Sequence, residues 1–199
     1  MKIEVKNLLS QIYKFNNFEI GLILFNIGII FLLSAPALAS IFLTISLLIS
    51  FSSCKIDILK DRLNIILIIL ITIMILSCTL PQLRGISTGI QNIFHESTNP
   101  YYGLINWIPY VFIYWGFKAY LKTKRERIFF SFSLIIGTVP LLISGLGQYI
   151  FDWYGPFKLW GGFIIWYQRE ITSGGLTGFF NNQNYAGCVL ATTFPFFLI

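Results

Sequence analysis

The most restrictive feature of this sequence is a series of long apolar segments that carry almost no charge. The longest, residues 18–53, is almost wholly apolar. A soluble domain of average composition is about one quarter charged, whereas this chain is 11% charged and 56% hydrophobic. Such segments are typical of membrane-spanning helices. The sequence therefore predicts an all-α fold, a polytopic transmembrane helix bundle.

Proline and charged residues divide the apolar sequence into spans. As one helix, residues 18–53 would extend about 54 Å, well beyond the ~30 Å hydrocarbon core of a bilayer. Because proline disfavours helix at the residue before it, we expect a break at Ser34, Ala35 and Pro36. We predict a single membrane domain over residues 1–199, with about five complete spans and a truncated sixth, at residues 18–34, 36–53, 64–80, 104–117, 128–151 and 185–199.

The basic residues predict how these spans are oriented. With the first apolar segment split, residues 1–17, 55–62 and 118–127 lie on one side of the membrane and hold eleven of the 14 Lys and Arg residues. Basic residues accumulate in cytoplasmic loops, so we expect a cytoplasmic N-terminus and outer loops at 82–103 and 152–184. Since the basic residues flank spans, we interpret them as determinants of topology and not as a nucleic-acid-binding surface. The expected partners are membrane lipid and no nucleic acid.

Small residues at helical spacing predict where spans pack closely together. Ser40 and Thr44 lie four apart on the second span, and Gly137, Gly145 and Gly147 lie on the fifth.

Few residue patterns indicate chemistry within the spans. The three cysteines share no close spacing, so neither a disulfide framework nor a metal site is predicted, and no cofactor is expected. His95, the only histidine, lies in a polar turn and is expected to be a solvated loop residue. No acidic or basic residue lies near the middle of a predicted span, which disfavours an ion-coupled transporter. Candidate functional residues are therefore confined to the outer loops.

The most informative outer-loop segment is the stretch 173–186, which is rich in glycine and carboxamides. Its glycines allow a sharp turn or close approach to a ligand. Asn181, Asn182, Gln183 and Asn184 offer hydrogen-bond donors and acceptors without charge. One of these asparagines is a good N-cap for a following helix, and exposed helix N-termini bind phosphate.

Cationic and aromatic residues accompany this stretch. Arg169 lies a few residues upstream and Lys158 lies earlier in the same loop, where cations above a membrane would suit a lipid-linked pyrophosphate. The aromatic segment 160–167 between them is typical of an interfacial segment that lies on or dips into the bilayer. In the other outer loop, Arg84 either anchors a span to headgroups or clamps a phosphate.

Residues 175–187, Gly-Leu-Thr-Gly-Phe-Phe-Asn-Asn-Gln-Asn-Tyr-Ala-Gly, resemble a motif of the O-antigen ligase and O-antigen polymerase family. In that family the motif commonly reads Arg-x-x-Gly-x-x-x-Asn-Pro-Asn before a membrane span. Gly178, Asn182 and Asn184 occupy the matching positions. The arginine position falls on Gly175, and a glutamine replaces the proline; Arg169, six residues upstream, is a candidate substitute.

The resemblance implies a GT-C-type glycosyltransferase of the bacterial inner membrane. Such proteins transfer or polymerise glycan from an undecaprenyl-pyrophosphate carrier in the assembly of lipopolysaccharide and other cell-surface polysaccharides. It implies a substrate-binding role for Arg169, Gly178, Asn182 and Asn184, with a weaker contribution from Arg84. The resemblance does not decide whether the protein is a ligase or a polymerase, or which glycan and acceptor it uses.

The resemblance covers only the front part of a typical family member. The family's proposed catalytic histidine lies in a later outer loop, and His95 does not match it, so the catalytic residue is unknown. We expect a truncated or split N-terminal fragment, inactive alone unless a partner chain supplies the missing C-terminal part. Two alternatives stay open: a small transporter or flippase component, which predicts inverted repeats and interrupted helices, and a non-catalytic membrane subunit.

Overall fold

The computed structural model describes residues 16–53, 61–83, 101–170 and 175–198. These residues are mostly helical, as predicted. They divide into two compact units, one within Met1–Cys54 and Tyr120–Ile199 and the other within Lys55–Ala119. The single membrane domain stays a prediction.

The described elements are six α-helices, a short β-hairpin and several 3₁₀ turns. The helices are α1 (Asn17–Phe31), α2 (Pro36–Ser53), α3 (Arg62–Leu83), α4 (Tyr101–Phe117), α5 (Lys124–Phe151) and α6 (Gln183–Thr193). Between α5 and α6, strands β1 (Phe157–Leu159) and β2 (Ile164–Trp166) pair in antiparallel register, with Lys158 opposite Ile165.

Three of the described helices are long and apolar enough to cross a membrane. They are α2, residues Arg62–Leu80 of α3, and α5. Helix α1 is apolar but only 15 residues long. These helices support the predicted membrane association, whereas the set of five spans stays a prediction.

The predicted break at Pro36 is confirmed, because α1 ends at Phe31 and α2 begins at Pro36. Helix α5 starts four residues before the predicted fifth span, and the membrane bounds of that span stay a prediction. Helix α5 begins at Lys124, since Thr123 and Glu126 form a capping box: Thr123 N donates to Glu126 Oε2 at 2.7 Å, and Glu126 N donates to Thr123 Oγ1 at 3.2 Å. Such reciprocal bonds satisfy two otherwise unpaired donors. Part of the predicted basic loop is therefore the first turn of α5.

The predicted sixth span is a short helix in the structure. Helix α6 has 11 residues, about 16 Å of helix, or half a hydrocarbon core. It gives way at Phe194 to a 3₁₀ segment that contains Pro195, because proline lacks the N–H that an α-helix needs and clashes with the preceding turn.

The two outer loops also differ from their predicted bounds. The loop predicted at 152–184 holds the β-hairpin and the first two residues of α6, so its aromatic segment is partly strand. Of the loop predicted at 82–103, the first and last residues belong to α3 and α4, and 84–100 lie outside the described residues.

Close helix packing in the first unit depends on glycine. A Cβ at Gly28 would lie 2.7 Å from the Leu43 side chain of α2, and one at Gly137 of α5 would lie 2.7 Å from the Ile30 carbonyl oxygen of α1. The packing role predicted for Gly137 is confirmed. The same role is wrong for Gly145, where a Cβ would meet no atom within 4 Å.

Buried polar contacts connect the same helices. Ser46 Oγ donates to the Gly21 carbonyl at 2.8 Å, and the Tyr120 hydroxyl donates to the Ser46 carbonyl at 2.8 Å. Ser133 Oγ of α5 donates to Asn26 Oδ1 of α1 at 2.9 Å. Because Asn26 pairs with Ser133 and Ile30 with Gly137, α1 and α5 run in the same direction.

The second unit is an antiparallel helix pair. Asp61, whose Oδ1 accepts from Leu63 N at 2.9 Å, caps the start of α3 and forms an ion pair with Lys118, just after α4. An apolar cavity of about 410 Å³ lies between the two helices, with Leu67, Leu70 and Trp107 among its lining residues.

We expect Gly137→Ala to destabilise the protein, whereas Gly145→Ala leaves stability unchanged or raises it. The added methyl at 137 collides with the α1 backbone, and overpacking costs about 1–3 kcal/mol. At 145 the methyl enters open space, and alanine favours helix over glycine by about 1 kcal/mol. Thermal unfolding of both variants in detergent measures the difference. Equal loss of stability would contradict the packing described for α1 and α5.

Candidate functional site

The candidate site is built around Gln148, which lies in the last part of α5 and is 1% exposed. Its Oε1 accepts hydrogen bonds from Thr177 N at 3.1 Å and from Gly178 N at 2.8 Å. Its Nε2 donates to Thr177 Oγ1 at 3.0 Å. Three hydrogen bonds from one side chain therefore hold residues 177 and 178 against α5.

Burial explains why this arrangement is needed. Moving a carboxamide from water to the protein interior without hydrogen-bond partners costs about 2–7 kcal/mol of free energy. Thr177 is 0% exposed, so its N–H and hydroxyl also need partners. Its Oγ1 further donates to the Arg169 carbonyl at 3.3 Å. Each buried polar group thus satisfies another, and the loop is connected to the end of the hairpin.

A second buried glutamine fixes the hairpin to the same face of α5. Gln168 is 2% exposed, and its Nε2 donates to Ser144 Oγ. Ser144 and Gln148 lie four apart, which places them on one side of the helix. The Gln168 carbonyl accepts from Gly155 N at 3.0 Å, and the Trp166 indole N–H donates to the Ser34 carbonyl at 2.8 Å. The hairpin is therefore tied to α5 and to the α1–α2 turn.

The loop then turns sharply at Gly178. This residue has φ +55°, and a Cβ there would collide with the Leu141 side chain, so the position favours glycine. Phe179 is buried and stacks on Trp166, with ring centroids 4.4 Å apart. Phe180 N donates to the Thr177 carbonyl at 3.1 Å, which closes the turn.

Helix α6 begins directly after this turn. Asn182 is its N-cap, and Asn182 Oδ1 accepts from Asn184 N at 2.8 Å. The prediction that an asparagine of this stretch caps the helix is confirmed. Asn181, Asn182 and Asn184 are all exposed. The start of α6 therefore presents carboxamides and the positive end of the helix dipole at the protein surface.

An apolar cleft of about 150 Å³ adjoins this helix start, between α5 and α6. Leu141 and Leu146 of α5 line one side, Ala186 and Leu190 of α6 line the other, and Leu176 completes the wall. Ala186 lies one turn beyond the cap. A polar helix start and an apolar cleft therefore lie side by side.

The structure brings together three of the five predicted substrate-binding residues. Gly178, Asn182 and Asn184 share the turn and the helix start. Gly178 is buried and its N–H is already bonded to Gln148, so a substrate contact there stays a prediction. Arg169 is exposed, and its guanidinium has no hydrogen bond or ion pair to the described residues. Arg84 and His95 lie outside the described residues.

The residues that hold the site in place were not predicted from the sequence. They are Gln148, Gln168, Thr177 and Ser144. One signal was present, because Gln148 stands inside a predicted apolar span and a polar residue there needs a partner. The partner itself lies 29 residues away along the chain.

A scan against protein-family models, a search of curated proteins and a search of solved structures each found no match to this chain.

We expect Gln148→Leu to speed amide hydrogen exchange at 177 and 178 by about tenfold or more. The substitution leaves two buried N–H donors without an acceptor, which costs about 1–3 kcal/mol each. Hydrogen exchange followed by mass spectrometry measures the effect, and Tyr149→Leu at the exposed neighbouring position is the matched control. Unchanged exchange in Gln148→Leu would show that other contacts hold the loop.

Proposed function

We propose that this chain carries the carrier-binding part of an O-antigen ligase- or polymerase-like glycosyltransferase in a bacterial inner membrane. It binds an undecaprenyl-pyrophosphate-linked glycan at the outer face, with the pyrophosphate at the start of α6. The supporting observation is that Gln148 holds the turn before α6 so that a capped, amide-rich helix start lies beside an apolar cleft.

The start of α6 has the chemistry that a pyrophosphate requires. The backbone N–H groups of a helix start and the helix dipole favour an anion there, although the N–H of Asn184 is already bonded to Asn182. The carboxamides of Asn182 and Asn184 add donors without charge. Arg169 supplies a cation, and the bond from Thr177 to its carbonyl ties this residue to the turn. A guanidinium can bind phosphate oxygens through two parallel hydrogen bonds.

The apolar cleft suits the lipid part of the same ligand. Its lining residues are leucine, alanine and glycine, so an isoprenoid chain would lose no hydrogen bond on entering it. The cleft is small, and it would accommodate only the isoprene units next to the pyrophosphate. A ligand with a charged head and an apolar tail therefore matches both parts of the site.

The geometry of α5 is consistent with a site on the outer side. The basic residues Lys124, Arg125 and Arg127 lie at its start, and Gln148 lies near its end. The distance from 127 to 148 along the helix is about 32 Å, close to the ~30 Å hydrocarbon core. If the basic end faces the cytoplasm, as the positive-inside rule favours, the turn and the start of α6 face outward.

We expect the chain, reconstituted in lipid nanodiscs, to bind undecaprenyl pyrophosphate and to prefer it to undecaprenol, which has the same tail and no phosphate. Arg169→Gln and Asn182→Ser should each weaken binding about tenfold, since a charge-assisted hydrogen bond contributes about 1.5–3 kcal/mol. Serine still caps a helix, so Asn182→Ser removes the carboxamide without removing the cap. Native mass spectrometry or a radiolabelled carrier measures the affinity.

The matched control is Asn181→Ser, which changes an exposed carboxamide one residue before the cap. It should leave binding unchanged. Equal affinity for the two lipids, or equal loss in Asn181→Ser and Asn182→Ser, would overturn the proposed site. A chain that binds neither lipid would favour the transporter or subunit alternatives.

A further inference from the structure

The β1–β2 hairpin has two different faces. In antiparallel strands directly opposed residues share a face, so Lys158 and Ile165 lie on one face and Phe157 and Trp166 on the other. Trp166 is turned to the protein, because its indole donates to Ser34, although Phe157 and Leu159 on the same face are 43% exposed. The opposite face, which we call the outer face, carries Lys158, Ile165 and Tyr167, all exposed.

The turn of the hairpin projects a large aromatic residue. Trp160 has φ +50°, and Gly161 and Gly162 have φ +66° and +97°. This backbone leaves Trp160 75% exposed. A Cβ built on either glycine would meet nothing within 4 Å. The tip therefore stands clear of the other described residues.

The length of α5 indicates where the hairpin lies along the membrane normal. Its 28 residues extend about 42 Å, which matches the ~40–45 Å thickness of a bilayer with its headgroups. If α5 crosses the bilayer with Lys124, Arg125 and Arg127 at one surface, its other end reaches the opposite headgroup region. Aromatic side chains are exposed there, as in an interfacial belt: Tyr149, Phe151 and Trp153 are 76%, 64% and 48% exposed.

Hydrogen bonds keep the hairpin at that height. The Gln168 side chain bonds to Ser144, two turns before the end of α5, and Trp166 bonds to Ser34 in the α1–α2 turn. The hairpin therefore cannot extend freely into water from the end of the helix. With α5 across the bilayer, the outer face and tip of the hairpin would lie within reach of lipid headgroups.

We propose that the Trp160 tip and the outer face of the hairpin dock on the headgroup region of the bilayer and anchor the loop that precedes α6. Tryptophan and tyrosine favour this region because one part of each ring system is apolar and another part forms hydrogen bonds. Lys158, together with Arg169 next to β2, complements the charge of lipid phosphates. The proposal does not depend on the proposed function.

Site-directed spin labelling of the full chain in liposomes of phosphatidylethanolamine and phosphatidylglycerol tests this docking. The native cysteines Cys54, Cys78 and Cys188 are first replaced by serine, and single cysteines are introduced as Trp160→Cys and Ile165→Cys. The control is Asn181→Cys, an exposed position on a polar turn. Power saturation then compares collisions with oxygen, which concentrates in lipid, and with a nickel chelate, which stays in water.

We expect the ratio of oxygen to nickel collisions to be several-fold higher at 160 and 165 than at 181. Equal ratios at the three positions would overturn the proposal. So would protection of 160 and 165 from both agents, because that result indicates a protein partner on the hairpin. Spin–spin broadening that disappears on dilution with unlabelled chain would identify a second copy as the occupant and would also overturn it.

Discussion

A single buried carboxamide organises the part of this chain that carries the candidate site. Gln148 lies in a helix that is otherwise apolar enough to cross a membrane, and it needs partners for both its oxygen and its nitrogen. It finds them in Thr177 and Gly178, so the turn before α6 is held at one end of α5. A second buried carboxamide, that of Gln168, bonds to Ser144, which lies one turn before Gln148 on the same face of α5. The start of α6 and the hairpin are therefore both fixed near the end of a membrane-length helix.

Much of the helix pattern could be predicted from local signals, and the errors have local or geometric causes. Pro36 marks the break between α1 and α2 because its effect on the preceding residue is local. The start of α5 was missed because a capping box outweighs the basic side chains beside it. Ser40 and Thr44 were expected to pack, yet both are exposed, and Ser46 and Ser50 are buried instead. Both pairs lie four apart in an apolar helix, so periodicity alone could not identify the buried face.

The candidate site was predictable where it depends on neighbours in sequence. A run of carboxamides before an apolar segment predicted the N-cap that Asn182 provides, since capping involves residues two apart. The hydrogen bonds of Gln148 to Thr177 and Gly178 join residues separated by 29 and 30 positions along the chain. The bond between Gln168 and Ser144 spans 24 positions. No local rule selects those partners. They follow from the way the hairpin and the turn before α6 fold back onto α5, and Trp166 of the hairpin stacks on Phe179 of that turn.

We propose above all that the amide-rich start of α6 lies at the outer surface of the membrane. The most direct measurement places one cysteine at Asn182 in a chain whose native cysteines are replaced, and exposes intact spheroplasts to a membrane-impermeant maleimide. We predict that the cysteine is labelled from outside without permeabilisation. Labelling that requires access to the cytoplasm would contradict this account.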